Sequence, residues 1–171
     1  MTSIARASEK DFQLLSELAK LTFIESHGQC ADPEDVNLYI AEKYSPAVIK
    51  EELNDEKNIY SIIHYNNRPA GYSKIISNAP YRDSQLKNIA KLERLYLLKE
   101  FYKLKLGSEL FQFNADLARK NNQVGMWLYV WKENPQAVNF YEKKGFVIIG
   151  SYDFQISKTH SNPNHQMFLS F

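Results

Sequence analysis

KLERLYLLKEFYKLKLGSELF, residues 91–111, decides how the chain folds. Residues 91–98 are rich in Leu and read as a strand. A short basic turn follows. Leu106, Leu110, Phe113 and Leu117 then fall at i, i+4, i+7 and i+11, one face of a helix. VGMWLYVW, residues 124–131, reads as the next strand. A helix between two strands is the crossover that a parallel pair requires.

WKENPQAVNFYEKKGF, residues 131–146, continues the pattern. Asn134 suits a helix cap, and Pro135 suits the first helical position, where its missing N–H costs nothing. Gly145 can end the helix in a left-handed conformation, which limits it to about three turns. FVIIG (146–150) and HQMFLSF (165–171) read as closing strands.

Upstream, SIARA (3–7) is a first strand, and residues 8–26 form a helix carrying Phe12, Leu15, Leu18, Leu21 and Phe23. Asp32 and Pro33 open a second helix; Pro46 opens a third that ends near Leu53. NIYSIIHY (58–65) and AGYSKIIS (70–77) form an antiparallel hairpin across the turn NNRP. Together these elements predict a mixed α/β fold, a sheet of six to seven strands flanked by helices. At 171 residues the chain suits one domain, 1–171, with a sizeable core.

Composition narrows the function. A net charge of +1 does not suggest general nucleic-acid binding. No apolar run reaches membrane-spanning length, and MTSIARASEKDF has no apolar leader core, so a cytoplasmic protein is expected. A single cysteine, Cys30, excludes an internal disulfide; its acidic neighbours in GQCADPED would raise a thiol pKa. Charge is unevenly spread. Residues 1–60 carry 6 Lys+Arg against 12 Asp+Glu, and residues 61–171 carry 15 against 8. Either these are two solvated faces, or the second half holds an anion and the first half a cation.

Two places carry candidate chemistry. The turn before the helix at Leu106 presents Lys103, Lys105, Gly107 and Ser108 at a helix N-terminus, where free N–H groups and the dipole favour an anion. It is either an ordinary connection with solvated lysines or a phosphate site. Tyr141 either packs on the sheet behind Phe140 or stands at its edge. A phenol of pKa about 10 can protonate a thiolate whose conjugate acid is nearer about 8.5. His160 and His165 lack a Cys, Asp or Glu partner at ligand spacing, so no metal is expected.

With both stretches in view, the chain resembles the GNAT family of acetyl-CoA-dependent N-acetyltransferases. Asn134 through Phe146 carries the pattern N-x-x-A-x-x-F-Y-x-x-x-G-F. Thr22 with Phe23, ERLYL, WLYVW and NFYEKKGF resemble the PaiA-type spermidine/spermine branch. The resemblance implies that the strand at Leu92–Leu98 splays from Met126–Trp131 and that pantetheine bonds to the backbone of Leu95, Tyr96 and Leu97. It implies a pyrophosphate on Tyr102, Lys103, Leu104, Lys105, Leu106, Gly107 and Ser108. Asn134, Ala137 and Lys143 would complete the cofactor site. Tyr141 would be the general acid.

Glu93, on the central strand, is the candidate base, acting directly or through a water; otherwise it is a strand residue paired with a lysine. For a polyamine acceptor, Glu25, Asp32 and Glu34 lie where the family's first helices flank the acceptor. The family's loop pattern is Arg or Gln, two residues, Gly, one residue, Gly or Ala. Here those positions hold Tyr102, Lys105 and Gly107, and only the last matches. Lys105 brings a Cβ where backbone normally approaches phosphate. Two other readings stand: a peptide or protein amine as acceptor, and a GNAT domain that binds without turnover. A homodimer is expected by analogy.

Overall fold

The computed structural model describes residues 1–171. Seven strands are β1 (Thr2–Arg6), β2 (Asn58–Tyr65), β3 (Arg68–Ile76), β4 (Ala90–Leu97), β5 (Gly125–Trp131), β6 (Val147–Gln155) and β7 (Ser161–Ser170). Five helices are α1 (Phe12–His27), α2 (Pro33–Lys43), α3 (Pro46–Asn54), α4 (Leu106–Lys120) and α5 (Pro135–Lys143). The sheet order is β1-β2-β3-β4-β5-β7-β6, and only β4 and β5 pair in parallel.

Core layers cover both faces of the sheet. Leu15, Ile40, Ile49 and Tyr72 lie in the layer under α1, α2 and α3. Ile75, Phe111, Met126 and Met167 lie in the layer under α4 and α5. Prolines open α2, α3 and α5 at their first turns, as expected of a residue with no N–H to lose. No helix is long and apolar enough to cross a membrane.

The α4 stripe departs from its expected face. Its buried residues are Leu106, Leu110, Phe111, Asn114, Ala115 and Ala118, with Phe113 and Leu117 on the flank. Asn114 can lie fully buried because its Nδ2 donates to Ser73 Oγ at 2.8 Å and to the Leu110 carbonyl at 2.7 Å. β6 and β7 also run longer than expected, pairing from Val147↔Phe168 to Gln155↔Ser161.

Two features of the sheet make a site. First, β4 and β5 pair only at Ala90↔Met126 and Lys91↔Trp127, then separate. Beyond Lys91, β4 is paired to β3 alone. Second, the β3–β4 register jumps: Lys74 lies opposite Arg94, but Ile75 lies opposite Leu92. Glu93 is the extra residue of a β-bulge, a device that re-aims side chains.

Candidate active site

The gap between β4 and β5 opens into a cleft of about 680 Å³. Leu95, Tyr96 and Leu97 form one wall; Tyr129 and Trp131 form the other; α5 and the loop before α4 close its ends. Backbone groups along the separated strands can accept an extended ligand as an added strand.

The loop before α4 is built for an anion. None of the five N–H groups from Lys103 to Gly107 donates within the protein; Ser108 and Glu109 instead bond the Lys105 carbonyl, at 2.9 and 3.2 Å. Lys103 and Lys105 take left-handed backbone, at φ 68° and 62°. Such backbone turns successive N–H groups inward as a nest. Lys105 thus holds the conformation that glycine would hold, against a penalty of about 1–2 kcal/mol. A Cβ on Gly107 would meet nothing in the protein closer than Leu97 Cδ1 at 3.6 Å. Gly107 therefore leaves open space beside the cleft, and the loop has the free N–H groups to cradle a pyrophosphate.

Local bonds at both ends of α5 orient Tyr141. Asn134 Oδ1 accepts from the Ala137 N–H at 3.1 Å, the N-cap. At the other end Gly145, at φ 94°, completes a Schellman motif. Phe146 N–H donates to the Tyr141 carbonyl at 3.1 Å, and Gly145 N–H to the Glu142 carbonyl at 2.9 Å. The apolar contact of that motif is the edge-on pair of Tyr141 and Phe146, centroids 5.5 Å apart. The tyrosine is therefore part of the helix stop itself. Its hydroxyl has no partner in the protein, and its ring lines the cleft. Burial pushes its pKa up, so the phenol is protonated throughout the physiological range.

At the bulge a charged network begins. Lys74 Nζ lies 2.6 Å from Glu93 and 3.0 Å from Glu52; Lys91 Nζ lies 3.4 Å from Glu93. Arg94 Nη1 donates to Glu52 at 3.1 Å and to the Tyr60 hydroxyl at 2.5 Å. Tyr60 also donates to Glu52. Burial pushes the Glu93 pKa up, but Lys74, Arg94 and Lys91 together outweigh it and hold the carboxyl at about 2. His27, at the end of α1, stacks on Phe23 at 5.0 Å and lies against Tyr96 and Trp131. Burial lowers its pKa to about 4, so it is neutral at pH 7.

The acetyltransferase (GNAT) family model matches residues 13–146. The chain belongs to the GNAT acetyltransferase family. Over 151 residues it is 26% identical to an uncharacterised N-acetyltransferase of Lactobacillus delbrueckii subsp. lactis, covering 88% of this chain and 87% of that one. It is 28% identical over 154 residues to the spermidine N(1)-acetyltransferase of Thermoplasma acidophilum, covering 85% and 88%. Its fold matches the PaiA N-acetyltransferase of Thermoplasma acidophilum, solved with coenzyme A, at a TM-score of 0.80 and 22% identity, covering 100% and 99%.

In this GNAT acetyltransferase the cleft gathers most, not all, of the residues expected from the sequence. Leu95, Tyr96, Leu97, Tyr102, Lys103, Lys105, Leu106, Gly107, Ser108, Asn134, Ala137, Tyr141 and Glu93 line it. Leu104 does not: it points outward, 41% exposed, because the left-handed residues on either side turn it away. Lys143 lies exposed in the last turn of α5.

The three expected acceptor carboxylates also lie outside the cleft. Glu25 accepts from the Lys99 N–H at 2.8 Å and so braces the segment before the loop. Asp32 and Glu34 are exposed at the start of α2, where acidic residues favour the helix dipole. Instead the cleft carboxylates are Glu52 and Glu93. Glu52, Lys74, Arg94 and His27 escaped the sequence reading; only the run of charges in KLER hinted at one of them.

Proposed function

We propose that this GNAT acetyltransferase moves the acetyl group of acetyl-CoA to a small primary amine by direct transfer in a ternary complex. The observation that carries this is the joining of three parts in one cleft. An anion nest at residues 103–107 leads to unpaired strand edges on β4 and β5, and these lead to an unpartnered phenol at Tyr141. The nest would take the pyrophosphate and the strand edges the pantetheine. A backbone N–H between Leu95 and Leu97 would hold the oxyanion.

The neutral amine attacks the thioester carbonyl carbon, the C–N bond forms, and the C–S bond breaks. The departing thiolate takes the phenol proton of Tyr141. The proton lost from nitrogen returns to the phenol through solvent. Burial raises the phenol pKa and the same desolvation raises that of the thiol; the proton moves from the weaker acid, and the step is completed when the proton lost from nitrogen restores the phenol. Glu93, held at about 2, is a weak base. Its part is to orient the amine or a water beside it. The cations Lys74, Lys91 and Arg94 favour the neutral form of a nearby amine, which is the nucleophile.

A polyamine is one candidate acceptor, supported by the spermidine N(1)-acetyltransferase among the relatives. The charge of the cleft weighs against it. Apart from the two lysines of the nest, four cationic side chains line the cleft, Lys43, Lys74, Lys91 and Arg94, against two carboxylates, Glu52 and Glu93. Release of CoA thiol from acetyl-CoA, followed across a panel of amines, tests the reading. Amine-dependent release supports it; hydrolysis at one rate whatever the amine contradicts it.

A further inference from the structure

Arg94 is nine-tenths buried, with 10% of its side chain exposed, and it lines the cleft. Its guanidinium lies over the Tyr44 ring at 4.9 Å, which fixes its plane. Both of its hydrogen bonds leave from Nη1; Nε and Nη2 have no partner in the protein. Both nitrogens reach solvent rather than being sealed in the core, so a ligand in the cleft can meet them. The carboxylates within reach are already shared. Glu52 serves Lys74, Arg94 and Tyr60; Glu93 serves Lys74 and Lys91. Three cations therefore share two anions, and one positive charge in this network is left for a ligand.

Arg94 stands on the α1–α3 side of β4 with Tyr96, opposite the α4 side that Leu95 and Leu97 face. It is one register step from the bulge at Glu93. We infer that the acceptor carries a carboxylate beside its primary amine, as an amino acid or short peptide does, and that Arg94 takes this carboxylate on its free Nε–Nη2 edge. This inference rests on the acetyltransferase reading and narrows its substrate. Arg94 is then the specificity residue, and a polycation is the wrong partner.

The test uses matched acceptors that differ only in the charge at the far end: β-alanine against β-alaninamide, and glycylglycine against glycylglycinamide, with spermidine alongside. CoA thiol release is measured for each with the full chain. The expected result is a kcat/KM for at least one carboxylate roughly ten- to a hundredfold above its amide, carried mainly in KM. Arg94→Gln should bring the pair within about threefold, and Arg94→Lys should restore part of the preference. Retained stabilisation by acetyl-CoA shows that the variants fold. Spermidine turned over faster than every carboxylate, or equal rates within both pairs, overturns this inference and leaves the acetyltransferase reading standing. No acceptor-dependent release at all overturns both.

Discussion

The proposed chemistry turns on Tyr141 and Lys105, and each makes a separable prediction. Tyr141→Phe removes one oxygen and leaves the ring contact with Phe146 in place. Loss of a general acid lowers kcat about a hundredfold or more, while the Kd for acetyl-CoA, measured by calorimetry, stays within about twofold. An unchanged kcat takes Tyr141 out of the mechanism. Lys105 combines strain with charge. Lys105→Ala keeps the left-handed Cβ and loses the ammonium, so acetyl-CoA binding weakens several-fold with little change in stability. Lys105→Gly also relieves the backbone, so its melting temperature exceeds that of the alanine variant. Equal melting temperatures for the two would show that the left-handed backbone costs nothing.

Single elements are stabilised by the same bonds that place the site. Gly145→Ala forces a Cβ into a φ of 94° and against Leu169 at 3.2 Å. It is expected to cost about 1–2 kcal/mol in urea unfolding and, because Tyr141 is the third residue of that helix stop, to lower kcat as well. Asn134→Ala removes the cap at the other end for about 1 kcal/mol. Stability loss without any loss of kcat in Gly145→Ala would show that α5 does not aim the tyrosine.

This element was legible because its signals are local: Asn134, Pro135 and Gly145 each act on their own few residues. The charged network was not legible. Glu52 on α3, Lys74 on β3 and Arg94 on β4 meet only through sheet register and helix packing. A one-residue bulge, invisible in the spelling KLERLYLL, sets where Glu93 points. The acidic balance of the first 60 residues misled for a similar reason. Glu25, Asp32 and Glu34 belong to that acidic segment, yet the one carboxylate of the segment that reaches the cleft is Glu52, from α3.

Across the whole molecule, the parallel β4–β5 pair followed from reading residues 91–131 as strand, helix, strand; the insertion of β7 between β5 and β6 rests on long-range pairing that no local signal carries. The functional asymmetry of the fold lies in its charge. The cleft gathers lysines and an arginine from α2, β3, β4 and the loop before α4, although the chain as a whole is nearly neutral.

Buried titratable groups also set the response to pH. His27 has its folded pKa lowered from 6.5 to about 4, so the unfolded chain binds more protons between those values. Stability is expected to fall as pH drops through that window, and His27→Asn to flatten the fall. Glu93 acts at lower pH. Its folded pKa is depressed from 4.5 to about 2, so its stabilising share is present above about 4.5 and lost as pH falls towards 2. Denaturation curves at a series of pH values, compared for His27→Asn and the natural chain, separate these windows. A His27→Asn profile parallel to that of the natural chain would show that His27 is not buried neutral.

The nest before α4 and the gap between β4 and β5 are expected to form one working acetyl-CoA site despite Lys105. Thermal unfolding with and without acetyl-CoA measures this directly. A ligand at about a hundred times its Kd adds roughly 2.7 kcal/mol. For a chain of this length that raises the melting temperature by about 5–10 °C. The expected result is a rise that grows with acetyl-CoA concentration and shrinks in Lys105→Ala. An unmoved melting temperature at millimolar acetyl-CoA would contradict it.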